Sequence, residues 1–212
     1  MKHNTDNLIF PNSIYDAYML GLLWAEGNIY PKTHRISLEM ATNDLSDILK
    51  DKMLFVNWNS YYRHRKVHWE PTTVLYIGNV RLCAKLVELD FISKLNATHL
   101  LQHIPKHLHS YWFRGYFDGD GCFYYNKSNY LRHFIVTAQY NYDWSFLIDL
   151  CYNLHITQYS IKQHISKKGH KCSRFRLTSK ESIIKIGSFI YSEYNNIGLS
   201  RKYTDFLKIQ ES

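Results

Sequence analysis

The chain has 212 residues, of which 45% are hydrophobic and 16% aromatic, so it can build a packed core and is not a largely disordered protein. Its formal net charge is +8 at pH 7, and its pI is near 9.2. A basic globular protein commonly has a polyanion as its partner, which makes nucleic acid the first candidate.

Hydrophobic periodicity predicts a mixed first half. The predicted elements are a helix capped by Asn12 or Ser13 and ending at Gly27, a turn over 28–33, a strand over 34–41, a helix capped by Asn43 or Asp44 and reaching Phe55, strands over 58–67 and 72–77, and a helix from Asn79 to about Asp90. The order is interpreted as αββαββα, although its first strand is not located.

The second half is predicted to repeat this order. Its elements are a helix over 107–120, strands over 122–125 and 131–140, a helix over 143–154, a hairpin of strands over 159–166 and 172–178, a helix capped by Ser179 and ending near Tyr194, and a short closing segment over 200–208. We therefore predict an N-terminal half-domain over 1–95, a connector over 96–106 and a C-terminal half-domain over 107–212. The connector carries Leu100 and Ile104 and is expected to pack on the body.

A nine-residue stretch occurs twice, as Met19–Gly27 and Phe113–Gly121. Each copy has an apolar run, a Gly at its third position, a small residue at its seventh, an acid at its eighth and a Gly at its ninth. The two acids, Glu26 and Asp120, lie about 90 residues apart, which is close to the length of a half-domain and indicates an internal duplication.

Small residues lie four positions apart within each copy, Gly21 with Ala25 and Gly115 with Gly119. Residues at this spacing share a helix face, so each helix presents a strip that permits close backbone approach. We infer that the two motif helices pack on each other and bring the two acids together. Paired carboxylates beside helix C-termini favour a hard divalent cation.

The copy Phe113–Gly121 resembles a LAGLIDADG motif, and Met19–Gly27 resembles a more degenerate one in which Trp24 stands where the other has Asp118. The chain as a whole resembles a monomeric, two-motif LAGLIDADG homing endonuclease. The resemblance implies an α+β fold of two pseudo-symmetric αββαββα half-domains. In that fold the motif helices form the interface, and the antiparallel sheets form a DNA-binding saddle.

The resemblance also implies the chemistry. It makes Glu26 and Asp120 the ligands of divalent metal, with Gly27 and Gly121 beside them, in an enzyme that cuts both DNA strands and leaves short 3′ overhangs. Mg²⁺ is the expected ion, Mn²⁺ a substitute, and Ca²⁺ an ion that supports binding without cleavage. Basic residues near the two sites correspond to Lys94 and Lys202. Gln139 is expected to orient a water, and its counterpart in the first half is Ala41, so the two sites are expected to be unequal.

Strand parity places basic and polar side chains on one face of the predicted sheets. Arg, His and Ser there suit base reading, and lysines at a hairpin tip suit phosphate contact. The predicted DNA-binding residues are Arg35, Ser37, Arg63, Arg65, His133, Lys162, His164, Lys167, Lys168, Arg174 and Arg176. Glu39 is unexpected on this face, and we interpret it as an acceptor for a cytosine amino group.

Three alternatives remain open at this stage. The first is an intron maturase that binds RNA on the same fold, and the second is a DNA-binding regulator that has lost the metals. The third concerns the spaced histidines, His64/His68 and His99/His103/His107, which have the spacing of helix-borne zinc ligands. The retained acids favour cleavage, and a solvated or DNA-contacting role is the preferred reading of the histidines.

Other expectations concern the protein's setting. Cys83, Cys122, Cys151 and Cys172 form no C-x-x-C pair and are expected to be reduced thiols of an intracellular protein. Neither a signal peptide nor a membrane span is expected. Double-stranded DNA is the expected partner of a monomer, with its own intron RNA as a second candidate. Composition suggests an organelle or a bacterial or phage-host cytoplasm.

Overall fold

A computed structural model describes residues 8–51, 53–64, 70–165, 169–194 and 197–212. The elements of the first half are α1 (Ile14–Glu26), β1 (Gly27–Tyr30), β2 (Arg35–Ala41), α2 (Thr42–Ile48), β3 (Asn59–Arg63), β4 (Thr72–Gly78) and α3 (Val80–Glu88), followed by α4 (Thr98–His103). Those of the second half are α5 (His109–Asp120), β5 (Gly121–Asn126), β6 (Leu131–Gln139), α6 (Ser145–Asn153), β7 (Ser160–Ile165), β8 (Lys171–Leu177), α7 (Lys180–Ile190) and α8 (Ser200–Glu211).

The predicted α+β fold with two αββαββα halves is confirmed. Each half has a four-stranded antiparallel sheet, in the order β1-β2-β4-β3 or β5-β6-β8-β7. Gly27 pairs with Leu38 in one sheet, and Gly121 pairs with Val136 in the other. The register is therefore the same in both halves, and it makes Ala41 and Gln139 equivalent positions.

The motif helices α1 and α5 pack against each other at the centre of the molecule. A methyl group at Gly21 would overlap the carbonyl of Trp112 and lie 2.8 Å from the nitrogen of Tyr116. A methyl group at Gly115 would likewise overlap the carbonyl of Tyr18. The third-position glycines therefore allow main chain to touch main chain, as the spacing of small residues predicts.

Three sequence expectations for the first half need correction. Residues 28–33 are not only a turn, because 27–30 form β1. Helix α2 ends at Ile48, well before Phe55, which has a φ of 52°. The N-cap of α2 is Ala41, without a side-chain bond, and neither Asn43 nor Asp44 caps it. Ser13 and Asn79, in contrast, cap α1 and α3 with their side chains as predicted.

The connector packs on the body as expected and includes a helix that was not predicted, α4. Leu100 and Ile104 are buried in the core that both halves share, whereas Leu95 is exposed. The proposed half-domain boundaries stay predictions. Within the described ranges, none of the helices has the length and apolar character that a bilayer span requires.

Candidate active site and nucleic-acid interface

Glu26 and Asp120 end the two motif helices side by side. The C-caps that follow them, Gly27 and Gly121, have extended backbone and lead directly into β1 and β5. A methyl group at Gly119 would lie 3.1 Å from Cγ of Glu26, so the Glu26 side chain runs against the residue that precedes Asp120. The structure thus brings the two predicted acids together across the interface.

Burial disfavours ionisation of both carboxyls, and nearby negative charge adds to this effect. Burial raises the pKa of Asp120 to about 7, with a further increase from the charge of Glu26 and opposing effects from Lys94 and Lys202. Burial also raises the pKa of Glu26, with the same two lysines opposing the increase and the charge of Glu39 adding to it. Two carboxylates that cannot both ionise easily form a site that a cation would stabilise.

Stability of the metal-free protein should depend on pH through Asp120. Its folded pKa lies above the value of about 3.9 for an unfolded Asp, so this stability contribution is complete below pH 4 and is lost as pH rises through 7. In EDTA at pH 8, Asp120→Asn should raise the free energy of unfolding by about 1–3 kcal/mol relative to the natural chain. Urea unfolding at pH 5 and 8 measures this, and an equal difference at both pH values would contradict it.

Each predicted basic residue binds the carbonyls at the end of one motif helix. The ammonium of Lys94 donates to the carbonyls of Leu23, at 2.9 Å, and Gly27. That of Lys202 donates to the equivalent carbonyls of Phe117 and Gly121, at 2.8 and 2.7 Å, and to that of Asp118. Cations at helix C-termini are favourable. The glycine carbonyls predicted to lie beside the metal therefore already accept a bond from lysine.

Burial lowers the pKa of both lysines. That of Lys94 falls to about 8, because desolvation outweighs the attraction of Asp120 and Glu26. The charge of Lys94 lowers the pKa of Asp120 more than that of Lys202 does. For Glu26 the order is reversed, and the charge of Lys202 lowers its pKa more. Lys94 thus binds α1 and interacts most strongly with Asp120 of α5, whereas the carboxylate that acts most strongly on Lys202 is Asp118, on the helix that Lys202 itself binds.

Two clefts of about 410 and 400 Å³ flank the acids, and Ala25, Lys94 and Gln139 line both. Gln139 Nε2 donates to the carbonyls of Ser93 and, at 3.2 Å, Lys94. Its amide therefore holds main chain, and its proposed role in orienting a water stays a prediction. Because Gln139 lines both clefts, the inequality of the two sites that was expected from Ala41 stays a prediction.

The difference between Asp118 and Trp24 is one of packing. Asp118 is buried and accepts hydrogen bonds, each of 2.9 Å, from the hydroxyl of Tyr18 and the N–H of Leu199. Trp24 packs edge-on against Phe91 with ring centroids 5.1 Å apart. One half fills this position with a buried carboxylate and the other with a buried indole, so Asp118 acts here as an interface residue.

On the first sheet, Arg35, Ser37 and Glu39 share a face with Tyr61 and Arg63 of β3. Arg35 lies over the Tyr76 ring, 4.4 Å from its centroid. Glu39 binds Arg63 at 2.7 Å and also accepts from the Thr72 hydroxyl. The cytosine contact proposed for Glu39 therefore competes with an existing ion pair. Ser37 is 6% exposed and offers little surface.

On the second sheet, the register places five predicted residues on one face: His133, Lys162, His164, Arg174 and Arg176. The opposite face carries the buried Phe and Val residues of the core. Four of the five present accessible side chains. His133 does not, because it is 7% exposed and lies between the ring of Tyr124 and the guanidinium of Arg176.

Three predicted DNA-binding residues, Arg65, Lys167 and Lys168, lie outside the described residues, as does His68. In the part of the chain that the structure describes, no cluster of three or more His, Cys, Asp or Glu side chains is able to hold a metal. The histidine spacings therefore give no zinc site there. His103, for example, contacts the carbonyl of Ile9 at 2.6 Å.

Several site residues were missed by sequence reasoning. Asn28 and Tyr30 line a pocket with Arg35 because they belong to β1. The sequence signal for this strand was the alternation of polar and apolar residues about Ile29, which is too short to predict a strand. Lys171 begins β8 and lines the cleft of Asp120.

No family model matches the sequence, and no curated protein matches it significantly. Solved structures do match. The LAGLIDADG meganuclease I-AabMI bound to uncleaved DNA has a TM-score of 0.54 at 12% identity, over 94% of this chain and 90% of its own. I-DmoI in complex with DNA and Ca has a TM-score of 0.52 at 13% identity, over 97% and 100%. This chain has the LAGLIDADG endonuclease fold.

The LAGLIDADG fold of this chain also matches full-length DUF199/WhiA from Thermotoga maritima. The TM-score is 0.53 at 14% identity, over 98% of this chain and 64% of WhiA. This chain thus corresponds to somewhat less than two thirds of WhiA. At these identities the likenesses concern the fold.

Proposed function

We propose that this protein is a site-specific DNA endonuclease that requires a divalent metal and makes a double-strand break with short 3′ overhangs. The observation that carries the proposal is the pair Glu26 and Asp120, held together at the end of the motif helices with one lysine at each. A scaffold that only bound DNA would have no need to bury two carboxylates whose ionisation is unfavourable.

The residues present fit a divalent ion. Glu26 and Asp120 would hold it with carboxylate oxygens, which Mg²⁺ prefers, and such sites usually take further ligands from substrate phosphate and water. A bound ion would lower the pKa of an attacking water and stabilise charge on the leaving oxygen. The raised pKa of Asp120 is the physical reason to expect a cation here, since a cation relieves the repulsion between the acids.

The other side chains prepare the site for the substrate. Lys94 and Lys202 fix the ends of the motif helices, which sets where the two carboxylates point. The two sheets present basic and aromatic side chains on one face, among them Arg35 and Arg174, and this face suits a DNA groove. We expect DNA bound on this face to have a phosphodiester near each acid.

The test is cleavage selection from a randomised duplex pool. The purified protein with Mg²⁺ should release fragments that share one long asymmetric sequence and end in short 3′ overhangs, as read by sequencing the ends. With Ca²⁺ in place of Mg²⁺ we expect retention of the same sequences without cutting. If Mg²⁺ and Ca²⁺ both enrich a sequence and neither yields cut ends, the cleavage proposal is wrong.

DNA binding and DNA cutting should depend on different residues. Arg174→Ala removes a charge from the sheet face and should weaken binding in Ca²⁺ by about 10-fold, with a smaller salt slope. Lys202→Ala should slow cutting with little change in binding. Lys208→Ala, whose ion pair with Asp205 lies within α8, is the control. Fluorescence anisotropy and single-turnover cleavage measure the two effects, and equal loss of both in Lys202→Ala would contradict its assignment.

A DNA-binding protein without cleavage is the second candidate, because the fold is shared with DUF199/WhiA, which is not named as a nuclease. In that case the selection in Ca²⁺ and Mg²⁺ would give the same uncut sequences. Intron homing, a monomeric state and an intron RNA partner belong to the first candidate and are proposed with it.

A further inference from the structure

The segment that carries Lys202 is bound by the first half of the chain. Lys202 lies in the first turn of α8, next to Ser200 and Arg201. The N–H and hydroxyl of Ser200 donate to Asp47 Oδ2 at 2.8 and 2.6 Å. Arg201 forms a two-pronged pair with Asp44 at 2.7 and 2.6 Å. Both acids belong to α2, more than half the chain away in sequence.

Helix α8 depends on these acids because its N-cap residue, Leu199, provides no side-chain bond. The N–H of Leu199 donates instead to the Asp118 carboxylate, and the N–H of Ser200 donates to that of Asp47. Carboxylates at a helix N-terminus stabilise the first turn. The position of the Lys202 ammonium on the carbonyls of α5 therefore rests partly on a side chain from the other half.

The segment that carries Lys94 is bound in the same way by the second half. Gln139 donates to the carbonyls of Ser93 and Lys94, the N–H of Asp143 donates to the next carbonyl at 2.8 Å, and Asn96 donates to the Asp143 carboxylate at 2.6 Å. Lys94 has a φ of 48°, which is uncommon outside glycine. Such a conformation persists when its surroundings hold it.

We infer that these contacts position the active-site lysines, so that each half of the protein adjusts the lysine of the other. The Lys202 clamp consists of Asp44 and Asp47 with Ser200 and Arg201, and the Lys94 clamp consists of Gln139 and Asp143 with residues 93–96. The inference rests on the proposed function. Contacts from one half would thereby control cutting at one strand alone.

Strand-specific cleavage tests the Lys202 clamp. Lys202→Ala and Lys94→Ala identify which strand each lysine serves, using a duplex labelled differently on its two strands. The double variant Asp44→Asn/Asp47→Asn should cut the Lys202 strand about 10-fold more slowly and the other strand at nearly its normal rate, because small displacements at a reacting centre are costly. Asp205→Asn, which breaks a pair within α8, should cut both strands normally.

Two further variants guard against a purely structural effect. Arg201→Lys keeps the charge and loses the two-pronged geometry, so it should slow the same strand without lowering the melting temperature appreciably. The exchange Asp44→Arg/Arg201→Asp should recover most of the cutting rate at the Lys202 strand that either substitution alone removes. Asn96→Ala, in the Lys94 clamp, should slow the opposite strand.

A second measurement does not require cleavage. Lysine acetylation of the metal-free protein, followed by mass spectrometry, should modify Lys202, which is 4% exposed, severalfold faster in Asp44→Asn/Asp47→Asn. Lys94 should gain reactivity only in Asn96→Ala. Unchanged reactivity, or equal slowing of both strands, would overturn the clamps. Selective changes in reactivity in a protein that cuts no DNA would sustain the clamps and overturn the endonuclease.

Discussion

Replacing Asp120 with Asn should reduce double-strand cleavage by at least about 1000-fold while binding in Ca²⁺ stays within about 3-fold. The amide keeps the shape of the side chain and removes the charge that would hold a cation. Asp120 lies at the end of α5 beside Glu26, and the substitution leaves the basic side chains of the two sheets in place. Plasmid cleavage in Mg²⁺ and anisotropy in Ca²⁺ measure the two quantities.

Glu26→Gln should have the same effect, because the two acids lie together and the charge of Glu26 acts on Asp120. Asp205→Asn, in an exposed pair with Lys208, is the matched carboxylate control and should cut normally. Full Mg²⁺-dependent cutting by either acid variant would refute the catalytic assignment. Persistence of nicking in only one of them would assign that acid to the strand that is no longer cut.

The second large effect is expected at the helix interface. Gly115→Ala should lower the free energy of unfolding by about 1–3 kcal/mol, even though Ala favours helix over Gly by about 1 kcal/mol. The added methyl would overlap the carbonyl of Tyr18 and lie 2.8 Å from the nitrogen of Leu22, and main chain cannot move aside as a side chain can. Urea unfolding measures the change, together with a melting temperature lower by several degrees.

Gly78→Ala is the matched control for this prediction. It is the same substitution at the end of β4, where an added methyl would meet no atom within 4 Å. We expect its stability to change by less than about 0.5 kcal/mol. If Gly115→Ala proves as stable as Gly78→Ala, the helices do not approach as closely as described.

The αββαββα order and the motif interface were predictable because both depend on local spacing. Strand β1 was missed because its four residues contain a single core-facing side chain, Ile29, and so show almost no alternation. The end of α2 was misplaced because Leu49 and Phe55 continue a helical spacing although the chain has already turned. Periodicity records burial, and a compact turn can bury a residue as well as a helix can.

The two acids were predictable from the motif, and the two lysines from their places after the last helices. What the sequence did not reveal is which half each lysine segment contacts. Asp44 was predicted to be a helix cap, whereas its carboxylate binds Arg201. A polar residue near a helix start suits both roles equally well, and only the tertiary arrangement decides between them. Gln139 was predicted to orient a water, and only the tertiary arrangement shows that its amide donates to the carbonyl of Lys94.

The interface between the halves is also asymmetric. Tyr18 of one helix donates to Asp118 of the other, and Trp24 donates to Tyr142 at 2.9 Å, so the two partners present different chemistry at equivalent places. Two copies of a single half would not reproduce these pairs. If the halves were produced as separate chains, mixed assemblies should therefore be favoured over like-with-like ones.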